Sequence, residues 1–355
     1  MNFLRLLLLP FSLLYGAVVG VRNFLFDLDI LRSVKFQLPV ISIGNLTAGG
    51  SGKTPHTEYL VRLLRKDYKV ATLSRGYGRK TSGFILVSSP STVEMIGDEP
   101  MQYQNKFNDI IVSVCEKRVA GINNLVRLPA PPQVILLDDA YQHRAVKPGL
   151  SILLMEYDDI FKPNYLLPVG SLREPRSSMK RADVIVISKS PEILVPIERK
   201  RITDQVTLRK NQQLFFSYLT YGDFIRLYGK DGPMMFGKKY YLEKRYSILL
   251  VTGIVNPSPL IEHLRRHTDK LFHERFPDHY NYKLKDIERI QKVFDNIANT
   301  NKIIVTTEKD AMRLKTPELE GVVKNLPIFY LPVQVEFHQQ DKERFDKMVK
   351  DYVQN

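Results

Sequence analysis

The chemistry most legible in this chain sits at Gly49-Gly50-Ser51-Gly52-Lys53-Thr54, between a short apolar run at 40–43 and a helical pattern from 57 onward. Glycines let backbone N–H groups close around phosphate oxygens, and the start of a helix adds a favourable partial positive charge. In such a loop Lys53 reaches the β- and γ-phosphates and the Thr54 hydroxyl ligates Mg2+. The nucleotide-binding stretch therefore takes in Thr47, Ala48, Gly49, Gly50, Ser51, Gly52, Lys53 and Thr54. It departs from GxxxxGK[ST] at one point, Thr47, where the first glycine belongs. A second signal reinforces it. Val134-Ile135-Leu136-Leu137-Asp138-Asp139 reads as a buried strand delivering two carboxylates at its C-terminal end. That is where ligands bind in open α/β sheets, and where a metal-holding acid stands in P-loop proteins.

Other chemistries are excluded. The seven histidines show no HExxH or similar ligand spacing, so zinc is not expected, and no GxSxG elbow occurs. The single cysteine, Cys115, permits neither an intrachain disulfide nor a Cys-based zinc site, and its strand-like setting suits a small buried side chain in a reducing cytoplasm. Two further candidates are ambiguous on local pattern. Asp98 in Gly97-Asp98-Glu99-Pro100 reads as a cap for the helix that Glu99 and Pro100 begin, and His279 in Pro277-Asp278-His279-Tyr280 reads as a turn residue. A P-loop specifies nucleotide and metal but not the acceptor, so a kinase, an ATPase or GTPase switch and an ATP-dependent ligase all remain open; a guanine-reading NKxD is not evident.

The remaining motifs narrow this. IGNLTAGGSGKTP (43–55), LSRGYGR (73–79), GDEP (97–100), DDAYQHR (138–144), LPVGSLREP (167–175), TGIVNPS (252–258), FPDHYNY (276–282) and TTEKDAMRL (306–314) occur in this order. Together they resemble the tetraacyldisaccharide 4′-kinases of lipid A biosynthesis, over about 39–314 and with a matching apolar N-terminus. Departures are small: Ala140 and Tyr141 stand for Gly and Phe, and Tyr280 for a second His. The resemblance implies transfer of the γ-phosphate of ATP, with Mg2+, to the 4′-hydroxyl of tetraacyldisaccharide 1-phosphate at the cytoplasmic face of the bacterial inner membrane, yielding lipid IVA. It further implies Asp98 as the base, paired with His279 and acting beside Lys53, and Asp138 and Asp139 near the metal with Thr54. Arg75, Tyr77, Arg118, Gln142, His143, Arg173 and Glu174 become acceptor-side positions, a guanidinium suiting the 1-phosphate.

To position these residues the chain needs a sheet. Short apolar runs at 40–43, 70–73, 110–114, 134–137, 151–155 and 184–187 alternate with helical patterns, which predicts βαβ units and a mostly parallel, P-loop NTPase-like core. The expected plan is an N-terminal anchor helix over 1–25, a kinase core over 26–205, a β linker over 206–245 and a smaller α/β domain over 246–355. From Leu6 to Val21 the chain carries no charge, and Arg5 and Arg22 flank the run. That is short for a full span, and Pro10 is expected to disturb a helix interior. A shallow or barely spanning membrane anchor is the preferred reading over a buried helix or a cleaved signal peptide. The Gly16–Gly20 spacing is a weak dimerisation signal. The excess of 52 Lys+Arg over 38 Asp+Glu gives a formal +14, suited to anionic headgroups and phosphorylated substrates. No nucleic-acid module and no obligate protein partner are evident.

Overall fold

The computed structural model describes residues 7–88, 91–163, 165–228, 238–278 and 280–355. Helix α1 (Leu9–Asp27) carries Pro10 in its first turn. The expected disturbance at Pro10 is therefore not found, because an N–H missing from the first turn has no intrahelical partner to lose. Strands β1 (Val34–Lys35) and β2 (Val40–Asn45) lead to the glycine loop and to α2 (Lys53–Leu64). Next come β3 (Val70–Ser74), β4 (Ile85–Leu86), α3 (Val93–Ile96), α4 (Asp98–Lys106), β5 (Ile111–Val114) and α5 (Arg118–Val126). They are followed by β6 (Val134–Asp138), β7 (Val146–Lys147), β8 (Leu150–Glu156), β9 (Val184–Ser188), α6 (Pro196–Gln205) and β10 (Gln213–Tyr221). The chain continues through β11 (Ile225–Arg226), α7 (Lys238–Glu243), β12 (Ser247–Thr252), α8 (Ser258–Arg265), β13 (Leu271–Arg275) and α9 (Leu284–Asp295). It ends with β14 (Lys302–Thr307), α10 (Glu308–Leu314), α11 (Pro317–Val323), β15 (Ile328–Leu331), β16 (Val333–Phe337) and α12 (Gln339–Gln354).

Two sheets dominate. The larger has nine strands in the order β16-β10-β9-β8-β2-β6-β3-β5-β4, and the smaller has five, β11-β15-β14-β12-β13. The pairings from β10 through to β5 are parallel, and antiparallel β16 and β4 close the two edges. Parallel strands need cover on both faces, which is why β2, β3, β6 and β9 are continuous apolar or small-residue runs with no exposed position. On one face Ile41, Ile43, Val134 and Leu136 pack against Leu60 and Leu64 of α2 and Phe345 and Val349 of α12. On the other, Val40, Ala71, Leu73, Ile135 and Leu137 meet Ile122 and Leu125 of α5. The smaller sheet is covered in the same way, Leu249, Val251 and Ile304 packing on Ile287 and Ile290 of α9, and Ile248, Leu250 and Val305 on Leu260 and Leu264 of α8.

The expected α/β class is observed, but the strands are shared out differently from the expected boundaries. The ribbon at 206–245 is divided: β10 is an interior strand of the larger sheet, while β11 is the edge of the smaller. The last segment returns, with β16 pairing to β10 and α12 burying Phe345, Val349 and Val353 in the first core. The cause is an unsatisfied strand edge. Beyond β9, β10 needs a second partner and its Phe215 needs cover, and the chain's C-terminus supplies both.

Candidate active site

The glycine loop leaves β2 at Asn45 and enters α2 at Lys53. Gly49 (φ 136°) and Gly52 (φ 85°) adopt left-handed backbone that a side chain would strain, and this is what folds the loop back on itself. Thr47 replaces the usual glycine without strain: it forms an antiparallel bridge with Leu172, and the Ala48 N–H donates to the Ser171 carbonyl at 2.6 Å. From β9 the Ser188 hydroxyl braces the Ser51 carbonyl at 2.9 Å. Lys53 lies over the strand ends, its Nζ 3.2 Å from Asn45 Oδ1 and 3.6 Å from Asp139 Oδ1.

The two strand-end acids differ. Asp138 is buried, and its Oδ2 accepts from the Tyr103 hydroxyl at 2.7 Å. Burial, with the Glu99 charge adding to it, pushes its carboxyl up to about 6. Its Oδ1 is a buried acceptor with no hydrogen-bond partner, and the Ser51 hydroxyl is likewise unpartnered. Asp139 turns away at φ 48° and meets Arg173, whose Nη1 lies 3.1 Å from both carboxylate oxygens. Burial acts to raise the Asp139 carboxyl, but Lys53 and Arg173 outweigh it and hold it below the usual carboxylate range. Among the described residues no cluster of three His, Cys, Asp or Glu side chains forms a ready-made metal cage. The oxygen donors Asp138 Oδ1, Thr54 and Ser51 nonetheless fit a hard divalent cation that keeps most of its ligands from water and phosphate.

Asp98 opens α4 after Gly97. Gly97 (φ 91°) sits so tightly on the neighbouring turn that an added Cβ would fall 2.8 Å from the Tyr77 carbonyl. The 73–79 turn is thereby pressed against the 97–100 turn, with Arg75 and Tyr77 exposed on it and the Arg75 charge felt at Arg118 and His143. Asp98 itself is 6% exposed and is gripped by Arg313 of α10, Nη2 close to Oδ2 and Nε 3.4 Å from Oδ1. Glu99 pairs with Lys309 at 3.1 Å. The expected partner of Asp98, His279, lies outside the described residues. Within TTEKDAMRL the cations Lys309 and Arg313, to which the sequence pattern alone assigns no role, carry one signal of a shared task, their i, i+4 spacing at the start of a helix.

The acceptor-side candidates divide. Arg118 is buried and donates to the Cys115 carbonyl (2.6 Å) and the Asp138 carbonyl (3.2 Å), so it buttresses the strand end from within. Gln142 donates to the Asn45 carbonyl at 2.8 Å, and its own carbonyl accepts from Arg22 of α1. Burial, aided by Arg118, lowers the His143 imidazole to about 4, leaving it neutral. Glu174 is buried between Arg181 (2.7 Å) and Asn23 of α1 (3.1 Å), and the Arg173 carbonyl accepts from Tyr15 of α1 at 2.9 Å. Gln142, Arg173 and Glu174 thus fasten α1 to the site. Gly16 is taken up in the same docking, its Cα side against Leu166, which removes half of the proposed dimerisation spacing.

A family model, LpxK, tetraacyldisaccharide-1-P 4′-kinase, matches residues 4–354. The chain belongs to this family. A Flavobacterium johnsoniae tetraacyldisaccharide 4′-kinase is 45% identical over 99% of this chain and 98% of its own length. One from Porphyromonas gingivalis is 39% identical over 96% and 95%. The crystal structure of LpxK from Aquifex aeolicus in complex with ATP superposes with a TM-score of 0.73 at 30% identity, covering 99% of this chain and 100% of that one. Family membership identifies a kinase of lipid A biosynthesis.

Proposed function

We propose that the chain transfers the γ-phosphate of ATP to the 4′-hydroxyl of tetraacyldisaccharide 1-phosphate, the step of lipid A biosynthesis that yields lipid IVA. One observation carries the reading: Lys53, Asp138 and Asp139 converge at the carboxyl ends of β2 and β6, with the apolar helix α1 fastened alongside through Arg173 and Glu174. Backbone amides of 49–53 cradle the phosphates, and Lys53 exchanges Asn45 and Asp139 for phosphate oxygens. Asp138 and Thr54 are the residues that would hold Mg2+, which neutralises charge on the phosphates. The acceptor oxygen bonds to the γ-phosphorus as the bond to the bridging oxygen breaks, ADP leaves, and the hydroxyl proton passes to Asp98. A carboxylate offers about four acceptor sites, so engagement by Arg313 does not exhaust that role.

An acyl-chain-bearing acceptor stays in a bilayer, so the catalyst has to come to it. Phe11, Leu13, Leu14, Val18, Val21 and Phe24 of α1 are exposed, each around 60% or more, and form the surface we assign to the cytoplasmic leaflet of the inner membrane. The deciding experiment incubates the purified protein with γ-labelled ATP and the tetraacylated disaccharide 1-phosphate. Label is expected on the lipid; label appearing only as free phosphate identifies a hydrolase and ends this reading.

A further inference from the structure

We propose that Arg313, carried by the smaller sheet, is the positioning residue that aims the Asp98 carboxylate at the acceptor hydroxyl and keeps it a proton acceptor. The inference rests on the reading of Asp98 as base. The guanidinium has almost no freedom: Nε and Nη2 take the two Asp98 oxygens, while Nη1 takes the Gly253 carbonyl at 3.2 Å and Asp310 Oδ1 at 3.3 Å. Asp310 is itself fixed by the Gly253 N–H at 3.0 Å and the Thr307 hydroxyl at 2.6 Å. This is a fork held at both ends, which the point charge of a lysine cannot reproduce.

The electrostatic need is plain. Asp98 stands next to Glu99, which itself faces Asp138, and the triphosphate would add further negative charge. Like charges drive a carboxylate to bind a proton, and a protonated Asp98 cannot accept another. Among the described residues, Arg313 and Lys309, both from α10, face it with the opposite sign, and behind Arg313 stand Asp310 and Tyr282. Lys309 pairs with Glu99, whereas Arg313 pairs with the Asp98 carboxylate itself. Because Arg313 belongs to the smaller sheet and Asp98 to the larger, the base is set only when the two halves are seated together.

The test is the pH profile of kcat/KM with the lipid acceptor for wild type, Arg313→Met and Arg313→Lys, with Asp98→Asn as reference. Arg313→Met is expected to move the acid limb upward by about one pH unit or more, as loss of an adjacent opposite charge does. It should also lower kcat at neutral pH about tenfold or more, within the range of general-base contributions, while KM for ATP stays near wild type. Arg313→Lys should keep the limb near its wild-type position while recovering only part of kcat. A tether with no bearing on the base would weaken thermal stability and KM but leave the limb unmoved, and that result overturns the proposal. If Arg313→Met does not fold, Arg313→Gln against Arg313→Lys gives the same comparison, and coincident limbs overturn it equally. Full activity in Asp98→Asn would instead remove the base reading, a distinct failure.

Discussion

At residues 138 and 139 two identical side chains, adjacent in sequence, are set to different tasks by what surrounds them. Asp138 keeps one oxygen without a partner and a carboxyl raised to about 6, whereas Asp139 has Arg173 on both of its oxygens and Lys53 nearby. Asp138→Asn should therefore raise the Mg2+ concentration for half-maximal activity by about tenfold or more, in line with loss of one ligand to a weakly held cation. Asp139→Asn should leave that concentration closer to wild type and chiefly raise KM for ATP, since it releases Lys53 and Arg173. A magnesium titration of both variants decides the assignment, and equal shifts would contradict it. Lys53→Ala should lower kcat/KM by on the order of a hundredfold or more and weaken ATP binding measured by calorimetry. Asp98→Asn, by contrast, should lower kcat with the ATP affinity retained.

Elements convert these local choices into a site, and two positions expose how. Gly97 joins α3 to α4 with a left-handed φ and touches the Tyr77 turn, so Gly97→Ala meets both backbone strain and a clash. The cost should be about 1–3 kcal/mol in denaturant unfolding, with turnover falling because Asp98 is the next residue. In α2, His56 is fully enclosed, its Nδ1 2.7 Å from the Gly52 carbonyl and its Nε2 2.9 Å from the Ser217 hydroxyl of β10. Burial lowers its imidazole to about 4, against 6.5 in an unfolded chain. Between those values the unfolded chain binds a proton that the folded chain refuses, so stability falls as pH drops from 6.5 towards 4, by up to about 3 kcal/mol. His56→Gln keeps the hydrogen-bonding shape without the titration. Its unfolding free energy should decline less than wild type's over that window, and parallel declines would remove His56 as the cause. The parallel strands at the middle of the larger sheet, from 40–43 to 184–187, were legible because each is a short, mostly apolar run, and the glycine loop because left-handed backbone demands glycine. The fate of β10, β16 and α12 was not legible, since their texture of aromatic and charged residues gives periodicity but no address. Arg313 escaped for the same reason: its partner is 215 residues away in sequence, and only tertiary packing joins them.

Over the whole molecule, the apolar helix does not trail from the fold but is hydrogen-bonded along the segments that carry candidate site residues. Tyr15, Arg22 and Asn23 bind the segments carrying Arg173, Gln142 and Glu174, and Arg144 closes the far end by pairing with Asp27 at 2.6 Å. The inward face of α1 is thus polar and engaged, and its outward face is left apolar and uncovered. Transfer of a large apolar side chain from water to hydrocarbon is worth roughly 1.5–3 kcal/mol, so a handful of such residues suffices for stable attachment without a full span. Leu13 and Leu14 stand at the centre of that face, 67% and 65% exposed, and neither is part of a core cluster. The double substitution Leu13→Glu, Leu14→Glu should accordingly leave thermal stability unchanged while shifting the protein from the membrane pellet to the supernatant in vesicle sedimentation. Activity on acceptor dispersed in detergent should persist, and activity on acceptor embedded in vesicles should fall, because only the second requires the enzyme to reach a bilayer. Attachment through the chain's positive charge alone would behave oppositely: 1 M salt, which shortens the screening length to about 3 Å, would release wild type, and the double variant would still sediment at low salt. Retention of the variant on neutral vesicles would show that another surface does the anchoring.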